Sequence, residues 1–184
     1  MTSHAAIAAF DLALIEESAK KSALVWVRGP EGAARALWHV WSGGAVCLVG
    51  GPGEQPLDGL GLADGAAATV SCRSKDKGGR LVVWPAVVAE PAPGSESWSD
   101  AVAELKGKRL NAPDADGIAE RWARECRVLR LEPAGEPSQR PGAMPSESSA
   151  APPLPTPAST RVATPSGLPV RRRGASGHRA TRRG

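Results

Sequence analysis

The sequence predicts a mainly β (α+β) domain, a six-stranded antiparallel β-barrel with flanking helices, followed by a disordered C-terminal tail. Three observations carry this. The apolar segments between residues 23 and 90 are short, rich in Val and Trp, and divided by glycine-containing breaks, as strands of a small barrel are. Helical spacing of apolar residues occurs only at the start of the chain and between residues 97 and 125. From Gly135 to Gly184 the fifty residues hold 9 Pro, 7 Ser and 6 Gly, with no Trp or Phe. Such a stretch buries too little apolar surface to offset the entropy of ordering it. The domain is therefore assigned to residues 1–134 and the tail to residues 135–184.

The elements follow in order. Thr2 or Ser3 caps a helix on which Ile7, Phe10, Leu14 and Ile15 recur at helical spacing. "ALVWVRG" (23–29), "ARALWHVW" (34–41) and "AVCLVGG" (45–51) read as three strands of a meander, punctuated by "GPEG" and "SGG". "AAATVSCRS" (66–74) and "RLVVWPAVVAE" (80–90) form a hairpin around the "KDKGG" loop. Ser97 and Asp100 stand at capping-box spacing ahead of Trp98, Ala101, Val102 and Leu105, predicting a second helix to about Leu110. Ile118 and Trp122 mark a shorter third helix, and "CRVLRLEP" (126–133) is the sixth strand.

Charge and cysteine usage narrow the function classes. The tail carries 8 Arg against Glu136 and Glu147, a net of +6, which leaves −2 for residues 1–134 out of the whole chain's +4. The basic character thus belongs to the tail, and nucleic acid is an expected partner only through "VRRRGASGHRATRRG" at 170–184. Cys47, Cys72 and Cys126 are odd in number, far apart and without histidines at ligand spacing, which points to a reduced, cytoplasmic protein without structural zinc. "MTSHAAIAAFDLALIEESAKK" places Asp11, Glu16 and Glu17 within its apolar region, so it reads as neither a signal peptide nor a membrane span. "GLGLADG" (59–65) does not lie between a strand and a helix, which excludes a dinucleotide fingerprint. No GxSxG, HExxH or Walker loop supports a hydrolase or an NTPase.

An opening helix before "LVWVRG", a second strand "RALWHVW" with Trp at its centre, "AVCLVGG" followed by "PLDGL", and the "TVSCRS…RLVVWPAVV" hairpin together resemble the FMN-binding split-barrel family, typified by pyridoxamine 5'-phosphate oxidase. The likeness spans about residues 8–133. It implies a split-barrel homodimer, a flavoprotein oxidoreductase with FMN at the subunit interface, held by basic and hydroxyl side chains.

Strand alternation proposes which residues would serve. Ala36, Trp38 and Val40 share one face of the second strand and Arg35, Leu37, His39 and Trp41 the other. With the first set filling the barrel, Arg35, His39 and Trp41 face outward. Ala68, Val70 and Cys72 likewise point inward, leaving Thr69, Ser71 and Arg73 outside. The resemblance then assigns Arg35, Arg73, Ser74 and Lys75 to the phosphate and His39 and Trp41 to the flavin ring.

One departure bears on the ligand. Where the family's turn after the third strand supplies Ser, Arg and Lys, "GGPGEQPLDGL" (50–60) offers Glu54, Gln55 and Asp58, and carboxylates repel a phosphate. Either Arg35, Arg73 and Lys75 replace the usual grip, or the ligand differs, a deazaflavin being one alternative. A second reading, of another class, is a cofactor-free barrel serving as a binding or assembly module, with its tail on nucleic acid.

Overall fold

A computed structural model of the 184-residue chain describes residues 7–73, 80–112, 114 and 116–143. The elements are α1 (Ala9–Lys21), β1 (Leu24–Arg28), β2 (Arg35–Trp38), β3 (Val40–Ser42), β4 (Ala45–Gly50), β5 (Ala67–Arg73), β6 (Arg80–Ala89), α2 (Glu96–Lys108), α3 (Ile118–Glu125) and β7 (Arg127–Pro133). The strands pair antiparallel in the order β2-β1-β5-β6-β7-β4-β3. The two ends of that order are neighbours in the chain, separated only by His39. The sheet therefore curls into a nearly closed barrel.

Seven strands replace the expected six because the second one breaks at His39. Its first half pairs with β1, from Leu24↔Trp38 to Val27↔Arg35, and its second half with β4, from Val40↔Cys47 to Ser42↔Ala45. The β3–β4 turn is Gly43–Gly44 at φ 54° and 78°, the left-handed backbone that a two-residue hairpin turn requires at both positions.

The barrel interior is filled from alternate positions, among them Val25, Val27, Val70, Trp84, Leu129 and Leu131. Ala68, Val70 and Cys72 face inward as alternation implies. Ile15 and Ala19 of α1 join the same core, so this helix lies over the barrel. A second apolar cluster forms outside the barrel wall, where Trp98 and Leu105 of α2 and Ile118 and Trp122 of α3 cover Val40, Cys47, Val49 and Val128.

Three boundaries differ from expectation. The N-cap of α2 is Ser95, not Ser97: its Oγ accepts from the Trp98 backbone N–H at 3.3 Å, directly after Gly94 turns the chain at φ 83°. The first helix begins at Ala9 with Ala8 as its N-cap, not at Thr2 or Ser3, which lie outside the described residues, and Ile7 precedes it; within it Ile15 is fully buried, but Phe10 is 74% exposed. Past Pro133 the chain continues along β6: Ala134 donates to the Pro85 carbonyl at 2.9 Å, and Val83 and Gln139 exchange backbone hydrogen bonds at 3.1 and 3.3 Å. Ala134 and Gln139 are held to the sheet by main-chain pairing, which composition does not register. Residues 144–184 lie outside the described residues, and with them the expectations for a disordered, nucleic-acid-contacting tail. Among the described residues no helix is long and apolar enough to cross a membrane.

Candidate functional site

The break in the second strand opens a cleft. It has a volume of about 430 Å³ and lies between the C-terminal end of α1 (Ala19, Lys20), the break itself (Trp38 to Trp41) and the C-terminal end of α2 (Lys108 to Leu110). Both helices close on lysines because cations offset the partial negative charge of a helix C-terminus. The floor is aromatic and the mouth is basic.

His39 is 8% exposed, and its Nε2 lies 2.9 Å from the Ala19 carbonyl oxygen. A carbonyl only accepts, so Nε2 carries the proton and Nδ1 is the lone-pair nitrogen. Nδ1 is shielded from solvent and has no partner among the described residues. Burial pushes the His39 pKa below its ordinary 6.5, against the Ala19 hydrogen bond and together with the Lys108 charge. The imidazole is neutral at pH 7, ties α1 to the strand break and lines the cleft.

The assignment of faces on the second strand is reversed. Leu37 and Trp41 belong to the barrel core, while Trp38 and Val40 lie on the outer wall with α2 and α3. The physical reason is that helices cover this part of the wall, so both faces of the strand are apolar and alternation alone does not tell inside from outside. Trp41 is 9% exposed, whereas the half-buried Trp38 is the more open aromatic surface.

The basic residues proposed from sequence do not gather. Arg35 pairs in register with the inward-facing Val27, and its Nη1 donates to the Pro56 carbonyl at 2.8 Å. Arg73 is on the outer face, its guanidinium 4.4 Å from the centroid of the Trp26 ring. Arg35 and Arg73 thus lie on opposite sides of the sheet, and neither lines the cleft. Ser74 and Lys75 are outside the described residues. The cations at the cleft are Lys20, Lys108 and Arg109. Lys20 pairs with Glu16. Arg109 pairs with Glu54 at 2.9 Å. Lys108 has no carboxylate within ion-pair distance among the described residues. A shallower opening beyond Trp41, lined by Glu16, Lys20, Glu104 and Lys108, is balanced in charge.

The loop carboxylate that seemed hostile to a phosphate is neutralised. The Glu54 side chain is fully buried and accepts from Arg109 Nε, Arg121 Nη2 and Trp122 Nε1 at 2.9 to 3.0 Å, and Arg121 is also held by Asp114. These partners are 55 to 68 residues away in sequence, out of reach of any local pattern.

No family model and no curated protein matches the chain. Among solved structures it is similar to the crystal structure of HutZ, the heme storage protein from Vibrio cholerae. The identity is 14% and the TM-score 0.49, over 67% of this chain and 89% of that one. A likeness at that level carries neither ligand nor activity across to this chain.

Proposed function

We propose that the barrel binds a flat, anionic ligand of the flavin type, FMN or a deazaflavin, in the cleft at the strand break, and serves as an oxidoreductase. The observation that supports this reading is the cleft itself, about 430 Å³, lined by Trp38 and His39 together with Lys20 and Lys108. The residues fit such a group. An indole and a neutral imidazole suit a ring, Lys108, without a carboxylate partner among the described residues, suits a phosphate, and the nearest loop carboxylate is already neutralised.

A bound flavin would supply hydride transfer. The chain's own part is to bind and orient it. Trp38 supports the ring, Lys108 takes the anionic group, and the buried floor keeps water from that side. His39 fixes the floor against α1 and, with Nδ1 shielded, acts as a structural neighbour of the ligand and not as a proton donor.

The test is the visible spectrum of the full chain purified under mild conditions, followed by titration with FMN, a deazaflavin and, in parallel, hemin. Yellow protein or micromolar flavin affinity supports the reading. Colourless protein that takes up neither flavin overturns it and leaves the cofactor-free binding module, and tight hemin binding without flavin binding overturns it in favour of another flat ligand.

A further inference from the structure

We infer that Gln55, which does not line the cleft, is the positioning residue that sets the cleft floor by standing in for a missing strand neighbour. The pairing of β3 with β4 runs Ser42↔Ala45, Trp41↔Val46, Val40↔Cys47. Extended by two residues it would bring Trp38 to Val49, but the strand leaves β4 at His39. Trp38 then has one backbone edge on β1 and the other facing a gap.

Gln55 fills that gap with its side chain. Its Oε1 accepts from the Trp38 N–H and its Nε2 donates to the Trp38 carbonyl, each at 2.9 Å. A side-chain amide offers an acceptor and a donor in one plane, as a peptide group does, whereas an ionised carboxylate only accepts. Gln55 is itself anchored, by a bridge to Gly50 and by its neighbours. Glu54 holds Arg109 in the cleft wall, and the Pro56 carbonyl holds Arg35. A three-residue stretch, Glu54 to Pro56, therefore fixes both the floor and one wall of a cleft it does not touch.

The consequence for the ligand rests on the flavin reading. The consequence for the floor does not. Gln55→Glu keeps the acceptor for the Trp38 N–H but removes the donor to its carbonyl, and Gln55→Asn keeps the amide one methylene short. The measurements are hydrogen exchange of the Trp38 amide, the NMR shifts of the His39 ring, and FMN affinity, with the melting transition as a check on folding.

The expected result is a folded Gln55→Glu protein with faster Trp38 exchange relative to Cys47, shifted His39 ring signals, and FMN affinity reduced about tenfold. Gln55→Asn gives the same pattern in milder form. Unchanged Trp38 exchange and His39 shifts in both variants would overturn the inference. So would a loosened Trp38 amide with His39 and FMN affinity at wild-type values. If the unmodified chain binds no FMN while Trp38 and His39 still respond, the flavin reading fails and the role of Gln55 in the floor stands.

Discussion

Arg140 reaches back to Asp11, its Nη2 at 3.0 Å from the carboxylate, and so fastens the chain beyond the last strand to the first helix. Asp11 is 2% exposed, and its other oxygen has no partner among the described residues. Removing the guanidinium leaves a buried carboxylate without a cation. Arg140→Ala is expected to cost about 1–3 kcal/mol in urea unfolding. A chain ending at Ala134 should lose more, because the Val83–Gln139 pairing goes too. Coupling is read from Asp11→Asn, in which the Arg140→Ala cost should shrink. Equal midpoints for the full and shortened chains would contradict this role.

Glu54 ties its loop to Arg109 at the end of α2 and to Arg121 and Trp122 of α3. Its removal takes an acceptor from Arg109, Arg121 and the Trp122 N–H at once, leaving Arg121 to Asp114. Glu54→Ala should destabilise the fold by about 2–4 kcal/mol, somewhat below the cost of breaking a fully buried pair because both guanidiniums keep some contact with water. Glu54→Gln, which retains an acceptor, should fall between the two. A chemical denaturation series checks the ranking, and an alanine variant as stable as wild type would refute it.

Stability should fall on mild acidification. The folded pKa of His39 lies below 6.5, with burial the largest cause, so the unfolded chain takes up the proton first. Its contribution is complete above about pH 6.5 and is lost progressively as the pH drops from there toward the folded pKa. His39→Gln, which can still donate to Ala19, should flatten the dependence below about pH 6.5. Urea midpoints across that range test it, and identical slopes in both proteins would exclude His39 as the source.

The cysteines should react unequally. Burial raises the thiol pKa of Cys47 and of Cys72 to about 11. Cys126 is raised as well, again chiefly by burial, but it is only half-buried. Native protein at pH 8 should take up one equivalent of a thiol reagent slowly, and none after Cys126→Ser. Peptide mapping that finds label at Cys47 or Cys72 in folded protein would contradict the packing described.

Much of the barrel could be read from the chain because Val, Trp and Gly mark strands and turns locally. The hairpin of β5 and β6, the Trp98 helix and the Ile118–Trp122 helix all fall within a residue or two of expectation. The site was harder. β4 is buried along its whole length, since Val46 and Leu48 fill the barrel while Cys47 and Val49 lie under α2 and α3, so no period distinguishes its faces. The same covering reversed the faces at Trp38 and Trp41. Glu54 in a Gly- and Pro-rich loop reads as a solvated charge, and only partners far along the chain bury it. The break at His39 leaves no mark of its own, because its stabilising group is the side chain of Gln55.

On the proposed flavin reading the ligand lies at the strand break and not across Arg35 and Arg73. The most direct test is FMN affinity, by flavin fluorescence, for the full chain and for Lys108→Glu, Arg35→Ala and Arg73→Ala. We predict a loss of about tenfold or more for Lys108→Glu, from one charge-assisted hydrogen bond turned into repulsion, with the two arginine variants within about threefold of wild type. Wild-type affinity in Lys108→Glu together with loss in either arginine variant would contradict the account.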